Sequence, residues 1–318
     1  MEKRKNSKKD PIESILGIDA IFATITAIAS SLVLFIIAGI LFTLISQSWL
    51  SIKSFGIFGF IFSTEWDPVK KIFGAAASIY GTLITTGFAM LIAVPSAIGI
   101  AIFVTEIAPN KLKGIIGSAI ELLAAIPSII FGMWGLFTLA PIMSDYIEPA
   151  IAATLGRIPI IGAVFSGATL GIDLFTASII LSIMILPFTA SVSRDAFNLT
   201  PSIVKESAYA MGATQWEVIR DVVIPFSKRG VFGGIILSLG RALGETMAVA
   251  FVLGNNHQIT ASLFNAAATI TVTLANEFTE ANSDIYLSSL FYLALILFVM
   301  SFVILAIAKY FLVKSRHE

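Results

Sequence analysis

The sequence of 318 residues has no cysteine, two histidines and few charged residues, which make up 13% of the chain. Without cysteine, disulfide bonds and thiolate metal ligands are excluded. A soluble domain carries about 25% charged residues. The low charge content and a mean hydropathy of +0.94 therefore indicate a polytopic membrane protein. The formal net charge is zero, so nothing suggests a nucleic-acid partner.

Motifs that mark enzymes are also missing. No G-x-x-x-x-G-K-[ST] sequence occurs, which excludes ATP binding through a P-loop. Neither H-E-x-x-H nor G-x-S-x-G occurs, so metalloprotease and serine-hydrolase chemistry have no recognisable site. We predict no catalytic residue, no bound metal and no cofactor for this chain, and not an enzyme.

Six segments are long and apolar enough to cross a bilayer, which takes about 20 residues. They lie near Ile21–Ser46, Ser78–Thr105, Ile115–Ala140, Leu174–Ser193, Gly230–Leu253 and Ile285–Phe311. If both termini are cytoplasmic, fifteen of the 20 basic residues fall on the cytoplasmic side, including those of the tail from Lys3 to Lys9. This distribution obeys the positive-inside rule. The predicted fold is an all-α polytopic membrane protein with six transmembrane helices and both termini cytoplasmic.

The same pattern divides the chain into three parts. Residues 1–77 hold the basic tail, the first transmembrane helix and the first outer loop. Residues 78–312 form the transmembrane core, which includes a long cytoplasmic loop at 194–229, and residues 313–318 form a cytoplasmic tail. A second outer loop is predicted at 141–173, broken by prolines and ending in a glycine-rich stretch, 158–171, to which the sequence assigns no role. Kinks are predicted at Pro95, Pro127 and Pro187.

Two charged residues lie inside the fifth apolar segment, Arg241 and Glu245. Residues four apart share one face of a helix, and each charge costs about 2.5–3.5 kcal/mol at bilayer depth on insertion scales. We therefore predict that both line a path for an anion. The alternative is a buried ion pair without a transport role. Glu121, near the cytoplasmic end of the third segment, is a secondary candidate with a structural or gating role.

The loop at 194–229 predicts two short helices around a turn. Thr200 can cap the first helix, which runs to Met211, and Gly212 supplies a left-handed stop. Thr214 and Glu217 form a capping box for the second helix, and Pro225 is predicted to end it. Such a unit either lies on the membrane as a plain connection or serves as a docking unit for a cytoplasmic partner.

The order of residues in this loop resembles the E-A-A-x3-G-x9-I-x-L-P motif of ABC importer permeases. The matching positions are Glu206, Ser207, Ala208, Gly212 and Val222–Pro225, with conservative departures at Ser207 and in the last group. Longer runs resemble the C subunit of the phosphate-specific permease, and they extend from about residue 49 to the end. They are Ile79–Leu83, Glu121–Ser128, Gly132–Leu136, Ile158–Gly162, Gly240–Ala248 and Leu274–Phe278.

The resemblance implies a type I ABC importer permease fold and a role as half of a translocation path for inorganic phosphate. It also implies partners in a prokaryotic inner or plasma membrane: a second related permease, two copies of an ATPase that binds ATP and Mg, and an external phosphate-binding protein. Arg241 and Glu245 would then be associated with phosphate passage. The coupling loop, with Glu206, Ser207, Ala208, Gly212 and Pro225, would sit in a groove of the ATPase.

Two alternatives stay open at this point. A permease for another oxyanion, sulfate or molybdate, would share the fold, although the Arg241–Glu245 context favours phosphate. A secondary transporter would need inverted repeats and would work without ATP.

Overall fold

The computed structural model describes residues 11–159 and 161–314. Within that part, six helices are long and apolar enough to cross a membrane, as predicted. Span one is Asp19–Phe55, span two Ala76–Ile107, span three Ser128–Arg157, span four Leu174–Asn198, span five Gln215–Leu243 and span six Asp284–Leu312. The basic residues from Lys3 to Lys9, Ile160, and residues 315–318 of the predicted C-terminal tail lie outside the described residues.

Shorter helices join or flank the spans. They are Ile57–Phe62, Asn110–Ala124, Ser202–Ala210, Met247–Ala250 and Ile270–Glu277. Helix Ser202–Ala210 and the first turn of span five, Gln215–Val218, form the two-helix unit predicted between spans four and five. We name residues 199–218 the connector. The end of the bundle that carries it is the connector end.

The third apolar segment is not one helix from Ile115 to Ala140, as the sequence predicted. Helix Asn110–Ala124 ends ahead of Pro127, and a new helix begins at Ser128. The residue before a proline is disfavoured in the α region, which agrees with a break here, whereas Pro95 and Pro187 lie inside continuous helices. Span three then continues to Arg157. It therefore takes up the first half of the predicted outer loop at 141–173.

Pro225 was expected to end a helix, and Pro141 and Pro149 were expected to lie in an outer loop; instead, helices continue through all three prolines. Each proline follows a turn of π-helix that ends two residues before it, at Gly135–Leu139, Met143–Ile147 and Ile219–Val223. A proline ring normally clashes with the carbonyl four residues earlier and leaves it without a donor. The wider π turn, with its i→i+5 hydrogen bonds, relieves that conflict and lets the helix continue.

Span four is the most buried of the spans and forms the centre of the bundle. Span five packs on it through small residues: a Cβ at Gly230 or Gly234 would lie 2.6 or 2.8 Å from a side-chain atom of span four. On the same face, the Ser238 and Thr189 hydroxyl oxygens are 2.7 Å apart. Small residues four apart are the usual means of close helix approach in membranes, and they allow spans four and five to pack tightly here. This packing fixes the position of Arg241 relative to span four.

Candidate functional site

Span five ends earlier than the sequence predicted. The predicted helix Gly230–Leu253 stops at Leu243, and a separate short helix begins at Met247. In this break the Thr271 hydroxyl donates a hydrogen bond to the Glu245 carbonyl oxygen, at 2.7 Å. Arg241 therefore lies in the last helical turn and Glu245 lies beyond it, so the prediction that they share one helix face is wrong. Non-helical backbone at membrane depth is tolerated where protein or a water-filled cavity surrounds it.

Arg241 is an exposed residue. Its Cζ lies 5.7 Å from the centroid of the Phe188 ring on span four, within the range of a cation–π contact. Among the described residues it forms no salt bridge and no hydrogen bond. A cation at a helix C-terminus is also favoured by the helix dipole. The side chain is thus held in place while its N–H donors stay available.

Glu245 is half-buried, and its carboxylate forms a hydrogen bond with the backbone. Its Oε1 accepts a hydrogen bond from the Ala248 N–H at 3.0 Å, in the first turn of the helix Met247–Ala250. The alternative of a buried Arg241–Glu245 ion pair is therefore not what the described residues show. One carboxylate oxygen holds the short helix, and within the described part of the chain the other oxygen accepts no such bond.

The connector has the geometry expected around Gly212. This residue has φ +92°, a left-handed conformation that glycine adopts without strain. The predicted capping box is present, with Thr214 and Glu217 bonded to each other's backbone N–H. The first helix starts one residue later than predicted, with Pro201 at the cap position. The Thr200 hydroxyl instead lies 3.0 Å from that of Ser227.

Of the predicted coupling residues, Ala208 is buried and Glu206, Ser207, Gly212 and Pro225 are exposed. Ala208 packs with Val218 in an apolar cluster beneath the connector.

The outer surface of the connector is unusually apolar. Ile203, Met211 and Trp216 are 69%, 84% and 61% exposed. These side chains project from a segment that also carries charged groups and lies outside the apolar runs. Large exposed apolar side chains grouped on one short segment are typical of a surface that another macromolecule covers.

Glu121, the secondary candidate, joins two helices at the connector end. Its carboxylate accepts a hydrogen bond from Arg194 of span four at 2.7 Å, and its side chain is 57% exposed. Arg194 also contacts Asp195 at 3.0 Å. The Arg194 side chain is only 16% exposed, so the pair is open to solvent on the Glu121 side alone. The geometry makes Glu121 a contact between helix Asn110–Ala124 and span four.

At the opposite end, Glu277 is the centre of a polar network. Its Oε2 accepts hydrogen bonds from Trp66 Nε1 at 2.6 Å and from the Tyr286 hydroxyl at 2.8 Å. Its Oε1 lies 3.2 Å from His257 Nε2, and the rings of His257 and Trp66 stack at 5.3 Å. Burial raises the pKa of Glu277, but these hydrogen bonds outweigh it and hold the pKa below its ordinary value. An open cavity of about 800 Å³ adjoins the network, lined by residues 64–67, 70, 72 and 255–260.

Two buried carboxyl groups lie near the same end, Glu148 in span three and Asp173 at the start of span four. Glu148 accepts hydrogen bonds from the Gly171 N–H and the Thr176 hydroxyl, at 3.2 and 3.3 Å. Asp173 caps span four through the Thr176 N–H at 2.8 Å. Burial, and to a lesser degree the neighbouring Glu148 charge, raise the pKa of Asp173 to about 7.

The comparisons with known proteins agree with this architecture. A family described as binding-protein-dependent transport system inner membrane component matches residues 97–316. A chain of the MetNI methionine ABC transporter superimposes with a TM-score of 0.57 at 15% identity, over 78% of this chain and 98% of that one. A chain of a bacterial alginate ABC transporter, in complex with a periplasmic protein, gives a TM-score of 0.58 at 15% identity, over 92% and 95%. The fold is that of type I ABC importer permeases, and the protein is a membrane component of such a transport system.

Sequence relatives identify the family within this class of membrane proteins. The chain is 52% identical to a Phosphate transport system permease protein PstC from Mesorhizobium japonicum, over 98% of this chain and 94% of the relative. It is 48% identical to the Haemophilus influenzae protein of the same name, over 94% of each. A Probable phosphate transport system permease protein PstC from Methanocaldococcus jannaschii is 38% identical over 84% and 85%. The chain belongs to the PstC family of permease proteins, which are transport components rather than enzymes.

The sequence reasoning missed several polar groups that the fold brings together. Glu106 of span two, for example, contacts Lys205 and Gln215 of the connector. A charged residue at the end of an apolar run, as in Thr105–Pro109, was the available signal. Nothing in the sequence indicated that Lys205 and Gln215, about 100 residues away, would be its partners.

Proposed function

We propose that this chain forms half of the path for inorganic phosphate in an ATP-driven importer of a prokaryotic inner membrane. The observation that carries the proposal is the exposed Arg241 at the broken end of span five, which has no ion-pair partner among the described residues, in a chain 52% identical to a relative named as a phosphate permease. An arginine kept at membrane depth without an anionic partner is costly unless it has a task. Attraction of a passing anion would provide that task.

The chemistry of phosphate fits these side chains. Near neutral pH, phosphate carries one or two negative charges and at least one O–H group. A guanidinium offers a planar fork of donors that matches two phosphate oxygens, and it stays charged at any working pH. Since no carboxylate neutralises Arg241 in the described structure, its donors are ready for an anion. Contact must be weak enough for release, as in other conduction paths.

Glu245 keeps a part in phosphate passage, although it does not share a helix face with Arg241. With Oε1 held by the Ala248 N–H, the other oxygen can accept a hydrogen bond from a phosphate O–H. Sulfate has no such proton at neutral pH and would be repelled by the carboxylate. We therefore assign Glu245 a part in discriminating phosphate from sulfate inside the membrane.

The connector supplies the coupling to ATP. Its exposed Ile203, Met211 and Trp216 would enter a groove of a cytoplasmic ATPase, two copies of which bind ATP and Mg. Exposed aromatic side chains are common anchors at protein interfaces. This assignment places the connector end, and both termini, in the cytoplasm. Closure of the ATPase pair would then move the connector and open the path to the outside.

At the opposite end, the chain would receive phosphate from an external binding protein. The polar cavity beside the Glu277 network opens on that side. A second related permease would complete the path, since one chain leaves Arg241 exposed.

The test is uptake of labelled phosphate into proteoliposomes that hold the chain with a related permease, the ATPase and the binding protein. We expect uptake that requires ATP and that excess sulfate or molybdate does not suppress. Suppression by either ion would favour a permease for another oxyanion. Uptake at the same rate without ATP would favour a secondary transporter.

A further inference from the structure

Glu106 lies in the last turn of span two, a π-helical turn at Phe103–Ile107. It contacts both helices of the connector. The carboxylate lies 2.6 Å from the Lys205 ammonium on the first helix. The backbone carbonyl accepts a hydrogen bond from the Gln215 side-chain amide on the second helix, at 2.9 Å. One residue of span two thus holds both halves of the connector.

The Glu106–Lys205 pair is shielded from water. Its side chains are 9% and 21% exposed, respectively. Breaking one partner of a desolvated pair is costly, because the other charge is left without compensation. Span five carries a contrasting pair just after the connector, Arg220 and Asp221, whose side chains are 60% and 53% exposed. Such exposed pairs typically contribute little.

Apolar side chains beneath the ion pair also join span two to the connector. Ala101 of span two, Ala208 and Val218 of the connector and Phe197 of span four belong to one buried cluster. The ion pair therefore closes an interface that is already packed. A movement of the connector cannot leave span two behind without opening this cluster and exposing the charges.

We propose that Glu106 is a positioning residue that transmits movement of the connector to span two. The inference rests on the proposed function, since it assumes that an ATPase moves the connector. Spans four and five are covalently continuous with the connector and would move with it. The contact at Glu106 would make span two move as well. Span two packs along span four against the central core, so a pull at Glu106 reaches the centre of the bundle.

The test uses the complete complex in proteoliposomes and measures phosphate taken up per ATP hydrolysed. Glu106→Gln removes the charge and keeps the backbone contact with Gln215, while Lys205→Met removes the other partner. We expect each variant to hydrolyse ATP and to lose at least about fivefold in the uptake ratio, the lower end of usual coupling between sites. Asp221→Asn is the matched control and should keep the wild-type ratio.

Exchange of the two charges separates coupling from a merely structural contribution. The double variant Glu106→Lys with Lys205→Glu should recover most of the ratio that Glu106→Lys alone loses. The double variant still tests the proposal if the neutral variants fail to assemble. Wild-type ratios in both neutral variants, or no recovery in the double variant, would overturn the inference. If the wild-type complex itself takes up no phosphate, the proposed function fails instead.

Discussion

Gly212 offers a substitution whose effect can be worked out from the backbone alone. The residue has φ +92°, and no heavy atom lies within 4 Å of the position that a Cβ would take. A larger side chain therefore meets no clash, and the cost is conformational. A left-handed conformation costs an L-residue about 1–2 kcal/mol, and a β-branched residue is a true outlier there. Gly212→Val should thus shift the connector away from its present turn by about 5- to 30-fold.

The expected consequence is uncoupling. In proteoliposomes with the partner subunits, Gly212→Val should hydrolyse ATP while the phosphate taken up per ATP falls by a similar factor. Gly212→Asn is the matched control, because asparagine tolerates the left-handed region at helix ends, and it should stay close to wild type. Normal uptake in the valine variant would refute the reasoning. So would equal losses in the two variants, since side-chain size rather than backbone strain would then be responsible.

Three further predictions concern separate parts of the molecule. Trp216→Ala should weaken binding of the ATPase to the purified permease pair by at least about fivefold, as expected for a truncated interface anchor; unchanged affinity would remove Trp216 from the interface. Glu245→Gln should let sulfate compete better with phosphate for uptake, and an unchanged preference would contradict the role assigned to its carboxylate. For Glu277, a lowered pKa means that its stabilisation is present above the ordinary value of 4.5 and is lost as the pH falls through the lower folded value. The Tm of the solubilised wild type should therefore fall on acidification below about pH 4.5, and Glu277→Gln should show a smaller fall; equal falls would refute it.

Much of the fold could be predicted because membrane spans follow from length and hydropathy. The spans around Leu174–Asn198 and Asp284–Leu312 begin and end within a few residues of their predicted positions. Helix capping at Thr214 and the glycine stop at Gly212 were also predicted, since both depend on local chemistry.

The errors have one physical origin in the prolines and another in long-range packing. The helix is interrupted at Pro127, whereas a π turn before Pro141 and before Pro225 lets the helix continue. The local sequence does not distinguish these outcomes. The break after Leu243 is held by Thr271, which is distant in sequence, so the separation of Arg241 from Glu245 could not be read from their spacing. The contact between Glu106 and Lys205 was hidden for the same reason.

The central proposal is that Arg241 lies in the anion path. It is tested most directly by ATP-dependent uptake of labelled phosphate in proteoliposomes, with wild type compared with Arg241→Gln. Loss of uptake, with assembly and binding-protein-stimulated ATP hydrolysis intact, is the predicted result. Unchanged uptake in the glutamine variant would contradict the proposal, because the guanidinium would then serve no step in phosphate passage.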